Sequence, residues 1–435
     1  MSSTEPEYGF PAPLWQAIER AHPPLPRWRS PLRGPWLTSL LGVVLLVGLA
    51  LVIVTGLLSY IAYGPQLGQA IPPDVGALRL PIFDWPTRPS WLYRLTQGVH
   101  VGLGMVLIPV VLAKLWSVLP KLFAWPPVRS IAQVLERISL LLLVGSILFE
   151  IVTGLLNIQY DYVFGFSFYA AHYTGAWIFI GAFVAHVALK LPRAVRTLRS
   201  RSLRTELRTP LTATTPEDDD GSGLVAEHPA PPTMSRRGAL ALVGGGALLV
   251  AGLTVGQTVG GVLRPTALLL PRGRTTAAAD GGPNDFPVNR TFVSSGIDVT
   301  TTGDGWRVEL AGAHPRQLDR AALAALPQHI AQLPIACVEG WSTVQRWSGV
   351  RLRDLAALAG VPEPASALVS SLEEGPFARA ALTSGQVLDP DSLLALRVDG
   401  ADLGLDHGYP ARVIVPALPG VHCTKWVRSI EFRSA

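Results

Sequence analysis

The stretch Ile335–Ser342, with the sequence IACVEGWS, decides how the C-terminal part of this chain is interpreted, because it carries one of only two cysteines in 435 residues. About 70 residues later comes the cluster His407–Arg412, HGYPAR, followed by Lys425 and a tryptophan. Thiolate sulfur is the ligand type that soft and redox-active metals prefer. Arginine offers a fork matched to phosphate oxygens, and lysine offers a point charge. The pattern therefore indicates a soft metal held beside a phosphate-bearing organic cofactor.

These motifs resemble those of a known family. The region from about Phe286 to Arg433 resembles the sulfite-oxidase fold of molybdopterin enzymes, and its CVEGWS is especially similar to the periplasmic molybdenum-dependent methionine sulfoxide reductase catalytic subunits. The resemblance implies that Cys337 is the catalytic residue and ligates molybdenum. It also implies that three residues of the HGYPAR and KW segments hold the pyranopterin and its phosphate, namely His407, Arg412 and Lys425.

Two further positions belong to this cofactor hypothesis. Asn289, in the segment FPVNR, is similar to an entry-loop position that contacts the cofactor in the family. The second cysteine, Cys423, lies in the loop Leu418–Lys425 near the expected phosphate site, and an unreactive buried thiol is the favoured interpretation. A Cys337–Cys423 disulfide is the alternative in an oxidising compartment, although it would remove the metal ligand.

The sequence predicts an α+β domain over residues 286–435. Short β-like runs alternate in it with helix-like segments, the strands being Trp306–Leu310, Ala411–Val415 and Val427–Phe432 and the helices Leu318–Leu326 and Leu352–Ala359. The sequence contains neither a GxSxG nucleophile turn nor an HExxH zinc helix, so it shows no apparatus for hydrolysis. Redox chemistry is expected instead, with the cofactor supplying oxygen-atom transfer and the protein supplying orientation and charge.

The first half of the chain has a membrane composition. Only 15% of all residues are charged, and four apolar runs each reach the roughly 20 residues needed to cross a 30 Å hydrocarbon layer. The runs are Leu37–Ala62, Leu95–Leu119, Ile138–Ile158 and Phe164–Leu189. Five aromatic residues at their ends fit an aromatic belt, namely Trp91, Tyr93, Tyr160, Tyr162 and Tyr169. The predicted fold is thus an all-α transmembrane bundle of about five spans followed by an extracytoplasmic α+β sulfite-oxidase-like molybdopterin domain.

Arginines and lysines predict the orientation of these spans. They precede the first run, separate the second from the third and follow the fourth, which places the N-terminus in the cytoplasm by the positive-inside rule. The net charge of +5 therefore reports topology and not nucleic-acid binding. The predicted segments are 1–36 cytoplasmic, 37–200 a four-helix cytochrome b-like membrane domain, 201–234 a flexible cytoplasmic linker, 235–264 a fifth span, 265–285 a linker and 286–435 the molybdopterin-binding domain.

The fifth span begins with an unusual motif. Ser235–Leu240, SRRGAL, resembles a twin-arginine export signal placed internally. A pterin domain loaded in the cytoplasm has to cross the membrane folded, and the twin-arginine route carries folded cargo. An ordinary fifth span with flanking arginines stays open as the alternative. Both interpretations place residues after about Arg264 outside the cell membrane.

Three histidines fall within the apolar runs: His100, His172 and His186. Ionisable residues inside a bilayer mark function by default. His172 and His186 lie about 40° apart around one helix and about 21 Å apart along it, an arrangement similar to the fourth helix of the cytochrome b family found with hydrogenases and formate dehydrogenases. Matching depth pairs His100 with His172 around an outer haem b. His186 is left open as a ligand of a second haem, a quinone-site residue or a residue without such a role, because the first run contains no histidine. Interhelical hydrogen bonding is the alternative for all three.

The combined prediction is a membrane-anchored enzyme that takes electrons from quinol through haem to molybdenum. It would reduce an S- or N-oxide outside the membrane, either a small oxide or an oxidised protein side chain. Glu339, two residues from the metal ligand, favours a neutral substrate over the sulfite dianion. Two alternatives remain: a sulfite dehydrogenase with the reverse electron flow, and a non-catalytic haem membrane protein whose outer domain binds a partner.

Overall fold

The computed structural model describes residues 28–64, 80, 83–124, 131–159, 163–219, 221, 223–274, 282–375 and 378–434, without the side chains of 131, 132 and 136. Most of the predicted cytoplasmic segment 1–36, the aromatic residues Tyr160 and Tyr162, and part of the predicted linker 265–285 lie outside this description. The chain divides into two compact units. The first is Met1–Ala50, Gly104–Val152 and Gly175–Val250, and the second is Leu51–Leu103, Thr153–Thr174 and Ala251–Ala435.

Within the described residues, five helical segments are long and apolar enough to cross a membrane: Pro35–Tyr63, Leu92–Leu122, Gln133–Asn157, Phe168–Ser200 and Arg236–Val259. They match the four predicted runs and the predicted fifth span. The individual helices are α1 (Pro35–Tyr63), α2 (Leu92–Val106), α3 (Ile108–Leu122), α4 (Ile131–Asn157), α5 (Phe168–Ser200), α6 (Leu203–Arg208), α7 (Arg236–Gly252) and α8 (Val255–Val259). The break between α2 and α3 falls at Leu107, two residues before Pro109, whose ring removes a backbone N–H donor.

In the first unit, the segment 201–234, which its composition predicts to be a flexible linker, contacts the start of α1. It contains α6, and its Glu217 carboxylate accepts a hydrogen bond of 2.7 Å from the backbone N–H of Trp36 at the start of α1. Arg236, the first arginine of the SRRGAL motif, is buried and pairs with Glu206 at 3.3 Å. An acidic side chain satisfies free N–H groups at a helix N-terminus, and this contact fixes a segment that is polar in composition.

The second unit joins one set of helix ends to the C-terminal domain. It contains the last residues of α1 and α4 and the first residues of α2 and α5. Such ends lie on one side of a bundle when successive helices run in opposite directions. Tyr63 and Tyr93 from these ends share one hydrophobic cluster with Ala336 and Leu418 of the domain. The indole N–H of Trp85 donates to the carbonyl of Ala417 at 2.8 Å. The helix ends and the domain therefore have a common core.

The C-terminal domain is α+β, as predicted, and it contains two five-stranded sheets. One sheet has the order β2-β1-β10-β5-β6, with β1 parallel to β10, and the other has the order β3-β4-β7-β8, with β9 paired to β7. The strands are β1 (Val308–Ala311), β2 (Arg316–Leu318), β3 (His329–Ala336), β4 (Ser342–Arg351), β5 (Ser366–Ser371), β6 (Arg379–Thr383), β7 (Leu393–Val398), β8 (Ala401–Asp402), β9 (Arg412–Ile414) and β10 (Val427–Arg433). The short helices are α9 (Pro271–Arg274), α10 (Phe292–Ser295), α11 (Arg320–Ala325), α12 (Leu352–Leu358) and α13 (Ser384–Leu388).

The predicted elements of this domain agree with the observed ones to within a few residues, and the other strands were not predicted. Strand β3 pairs with β4 in register from His329↔Gly349 to Ala336↔Ser342, so that the five residues between them form the turn of an antiparallel hairpin. Cys337 is the first residue of that turn.

Candidate functional site

The Cys337 turn, residues 337–341, is held by its own backbone. The N–H of Cys337 donates to the carbonyl of Trp341 at 2.9 Å, and the N–H of Gly340 donates to the carbonyl of Cys337 at 3.0 Å. Gly340 has a φ of +91°, a conformation that glycine adopts without strain. Cys337 is only 4% exposed. The hairpin thus presents one buried thiol at a fixed position.

The charges around this thiol weaken the preference for a neutral substrate that was inferred from Glu339. Burial raises the pKa of Cys337, and the Glu339 carboxylate raises it further. Glu339, however, forms an ion pair with Arg272 and accepts a 3.0 Å hydrogen bond from the Trp341 indole. Because Arg272 compensates the charge of Glu339, that carboxylate alone does not discriminate against an anionic substrate.

Asn289 lies beside the candidate metal ligand. Its side-chain N–H group donates to the sulfur of Cys337 at 3.8 Å. The next residue, Arg290, pairs with Glu373 at 2.7 Å, and its carbonyl accepts from Lys425. The Asn289 segment therefore contacts both the thiol and the cationic part of the site.

Arg412 and Lys425 form a cation pair on either side of Gly408. A Cβ atom added to Gly408 would lie 3.2 Å from the Cβ of Arg412 and 3.1 Å from that of Lys425. Arg412 is buried and donates to the carbonyls of Cys423 and His407 at 3.0 and 3.3 Å. Lys425 Nζ donates to the carbonyls of Arg290 and Asp406 at 2.7 and 2.8 Å. Burial lowers the pKa of Arg412 to about 10 and that of Lys425 well below its usual value.

His407 completes this cluster as a neutral side chain. It is buried, its Nε2 lies 2.8 Å from the carbonyl of Asn284, and Phe286 stacks on its ring at 3.7 Å between centroids. Burial, with the charges of Arg412 and Lys425, lowers the pKa of His407 to about 3. At neutral pH this imidazole therefore adds no charge to the cluster.

The cluster fits a phosphate-bearing cofactor. Among the described residues, the Arg412 guanidinium and the Lys425 ammonium donate hydrogen bonds to carbonyl oxygens, which carry no formal negative charge. A buried charge is costly unless an opposite charge meets it, and guanidinium presents more N–H donors than the two used here. An anion is the group that this arrangement accommodates.

The second cysteine is not bonded to the first. Cys337 and Cys423 are both free and buried, so the disulfide alternative is absent from the structure. The carbonyl of Cys423 accepts from Arg412, and its thiol lies 3.9 Å from the carbonyl of Val415. Cys423 serves the site through its backbone.

The histidines of the apolar helices fall in both units. In the second unit the rings of His100 on α2 and His172 on α5 lie 6.3 Å apart between centroids. His100 Nδ1 is 3.0 Å from the carbonyl of Val52, and His172 Nδ1 is 3.2 Å from the hydroxyl of Thr153. His186 lies in the part of α5 that belongs to the first unit and is half-buried.

Several contacts of the Cys337 turn were not predicted from the sequence. Gln97 on α2 donates to the carbonyl of Val338, and Thr258 on α8 donates to the carbonyl of Gly340 at 2.8 Å. Gln97 could have been singled out from the sequence, because it is a polar residue inside an apolar run, three positions before His100. Its partner, Val338, lies 241 positions away and could not be predicted from the sequence.

Comparison with known proteins identifies the family of the C-terminal domain. A model of the oxidoreductase molybdopterin binding domain matches residues 296–435. The uncharacterized oxidoreductase YuiH of Bacillus subtilis is 34% identical over 171 residues, which cover 37% of this chain and 84% of YuiH. Sulfite oxidase of Arabidopsis thaliana is 34% identical over 101 residues, 20% of this chain and 25% of that protein.

Among solved structures, the sulfane dehydrogenase SoxCD of Paracoccus pantotrophus covers 30% of this chain and 39% of its own, at 24% identity and a TM-score of 0.28, a similarity too low to carry an argument. The matched family makes the C-terminal domain catalytic, which overturns the alternative of a non-catalytic binding domain. On the strength of YuiH, most of whose length is matched, this chain belongs to the molybdopterin-binding oxidoreductases of the sulfite-oxidase type and is a molybdenum oxidoreductase.

Proposed function

We propose that this protein oxidises a membrane quinol and uses the electrons to reduce an S- or N-oxide at a molybdenum site. The quinol gives up two electrons and two protons and becomes a quinone. The oxide takes up two electrons and two protons, the bond to its oxygen breaks, and water leaves. One observation carries the proposal: the second unit attaches the Cys337 turn to the helix that bears His100, through the contact between Gln97 and Val338.

The molybdopterin cofactor would be held by the residues of the cation pair and the cysteine turn. Cys337 would supply a thiolate to molybdenum, and Arg412 and Lys425 would bind the phosphate through charge-assisted hydrogen bonds. Bound there, the cofactor supplies oxygen-atom transfer. Neutral His407 and the Asn289 side chain would orient the cofactor without adding charge. The protein itself excludes water, because Cys337 and Arg412 are buried.

A haem b between α2 and α5 fits the two histidines of the second unit. Their ring centroids are 6.3 Å apart, so His100 and His172 could together hold one haem iron. The Nδ1 atom of each ring already has an oxygen nearby, the Val52 carbonyl and the Thr153 hydroxyl. A partner at one ring nitrogen orients the other for a metal, so both Nε2 atoms are suited to ligation. A second haem or a quinone contact at His186 remains part of this proposal.

Sulfite dehydrogenation, with electrons flowing towards the quinone, is the second candidate. It gains support because Arg272 compensates the charge of Glu339, and because sulfite oxidases are among the relatives. In that direction sulfite takes oxygen from water to give sulfate, and two electrons and two protons are released. The oxide-reducing direction remains our proposal. The Trp341 indole closes the cysteine turn by donating a hydrogen bond to the Glu339 carboxylate, which is paired with Arg272.

The topology proposed for the chain keeps the catalytic domain outside the cell membrane. Along the sequence, most arginines and lysines of the helical region flank the helix ends that do not belong to the unit of this domain, which supports a cytoplasmic N-terminus. Export by a twin-arginine signal is tested best with Arg237→Lys, since Arg237 is exposed whereas Arg236 is buried in an ion pair. The variant should leave the domain in the cytoplasm, measured by protease accessibility. External location in the variant would support an ordinary fifth span.

The function is tested by following haem absorbance in the purified full chain. After anaerobic reduction by a short-chain quinol, a methyl sulfoxide or an amine N-oxide should reoxidise the haem, whereas sulfite should not. Reduction of the oxidised protein's haem by sulfite, without response to any oxide, would establish the reverse direction. The Cys337→Ser variant is the control, because its haem should be reduced by quinol and then stay reduced.

A further inference from the structure

The Cys337 turn contacts α2 at two positions that flank His100 in sequence. Gln97 donates from its side-chain amide to the carbonyl of Val338, the residue after Cys337. On the other side, a Cβ atom added to Gly340 would lie 2.8 Å from the Cβ of Val101. The cysteine turn and this stretch of helix are therefore in direct contact, with no space for an intervening side chain at Gly340.

Gln97 is itself held in place from a second helix. It is 6% exposed, and its side-chain oxygen accepts a hydrogen bond from the Ser59 hydroxyl of α1. Both ends of the amide are thus used, and the Val338 carbonyl receives its donor at a fixed position. A polar side chain with both hydrogen bonds made is favourable inside an apolar helix bundle, and an unpaired one is costly.

Helix α8 holds the turn from another direction. The Thr258 hydroxyl donates to the carbonyl of Gly340 at 2.8 Å, and the Ser342 hydroxyl donates to the carbonyl of Thr258 at 2.7 Å. Arg94 of α2 also donates to that Thr258 carbonyl, at 2.9 Å. Helices α2 and α8 and the cysteine turn therefore form a closed set of hydrogen bonds, which we call the turn dock.

The turn dock links His100 to Cys337 by a short path of covalent bonds and one hydrogen bond. Gln97 and His100 are three residues apart on one helix, so their Cβ atoms are neighbours about 5–6 Å apart. Val338 and Cys337 are consecutive, with Cα atoms about 3.8 Å apart. One hydrogen bond, from Gln97 to Val338, closes the path between these two pairs.

From this path we infer that Gln97 is the positioning residue of the electron-transfer contact in this protein. It holds the cysteine turn against the His100 helix, so that electrons from the quinol reach the oxide-reducing site within a single chain. The inference rests on the proposed function, since it needs a redox centre at His100 and another at Cys337. Gln97 touches neither substrate nor reacting atoms and acts through Val338.

The test compares Gln97→Leu with Thr96→Ala in the purified full chain. Leucine removes the donor of Val338 at similar volume, whereas Thr96 is an equally buried neighbour whose hydroxyl bonds to the carbonyl of Tyr93 in its own helix. Haem absorbance and pterin content are measured first, to show that each variant is folded and loaded. Two rates follow: reoxidation of quinol-reduced haem by the oxide, and oxide reduction driven by a soluble dye donor.

Gln97→Leu should lower the ratio of the haem-reoxidation rate to the dye-driven rate about tenfold, as expected if one lost hydrogen bond shifts the docking equilibrium of the turn by about 1.4 kcal/mol. Thr96→Ala should leave this ratio within about twofold, below the effect of one net hydrogen bond. An unchanged ratio in Gln97→Leu, whether both rates fall together or neither falls, would overturn the inference. Wild-type protein with dye-driven turnover but no haem reoxidation would instead overturn the proposed function.

Discussion

Arg412→Met offers a direct test of the phosphate site, because the described partners of Arg412 are two carbonyl oxygens, of Cys423 and His407. Methionine keeps most of the buried volume and removes the charge. Each charge-assisted hydrogen bond to a phosphate oxygen contributes about 1.5–3 kcal/mol, so loss of one such bond should weaken cofactor binding roughly tenfold to hundredfold.

The protein without cofactor should change less in stability. The substitution deprives two buried carbonyls of a donor, at about 1–3 kcal/mol each, but it also removes a charge whose burial is unfavourable. These effects have opposite signs. The main consequence is therefore expected in cofactor retention and not in folding.

The assay is the rate at which pterin leaves the protein during dilution, measured by the fluorescence of the oxidised pterin. Arg428→Met is the matched control, since Arg428 is an exposed residue of β10 three positions after Lys425. Release should be about ten to a hundred times faster in Arg412→Met than in the wild type, and unchanged in the control. Equal release rates in Arg412→Met and Arg428→Met would refute the assignment of the cation pair to phosphate.

Five other substitutions separate the two proposed metal sites. Cys337→Ser should abolish oxide reduction while haem absorbance and pterin content persist, because it removes the thiolate ligand. Cys423→Ser should keep most of the activity. An active Cys337→Ser enzyme would contradict the metal assignment. His100→Ala and His172→Ala should each eliminate the same low-spin haem signal in the electron paramagnetic resonance spectrum, and His186→Ala should spare it. Loss of that signal in His186→Ala together with its retention in His172→Ala would show that the pairing of α2 with α5 through these rings is wrong.

The local features of the catalytic domain could be predicted from the sequence. The strand Val427–Phe432 and the helix Leu352–Ala359 were expected from periodicity and agree with β10 and α12. The motif cysteine, the HGYPAR cluster and the lysine were expected to share one site, and the structure brings Arg412 and Lys425 together around Gly408. Short-range patterns and turn residues carry this information along the chain.

Long-range charge pairing could not be predicted in the same way. Glu339 was expected to favour a neutral substrate, but Arg272 compensates its charge from 67 positions away. The segment 201–234 was expected to be a flexible linker because of its acids and prolines, and the hydrogen bonds of its Glu217 with Trp36 and of its Glu206 with Arg236 were not predicted. A side chain's partner depends on the packing of distant elements, which composition does not report.

The central claim is that one chain carries a molybdenum site at Cys337 and a haem between His100 and His172. The most direct test is to quantify molybdenum, pterin and b-type haem in the same sample of the purified full chain. We predict equal amounts of molybdenum and pterin, and at least an equal amount of haem iron. Molybdenum and pterin without haem would contradict the electron path proposed for this protein, and haem without molybdenum or pterin would contradict the site at Cys337.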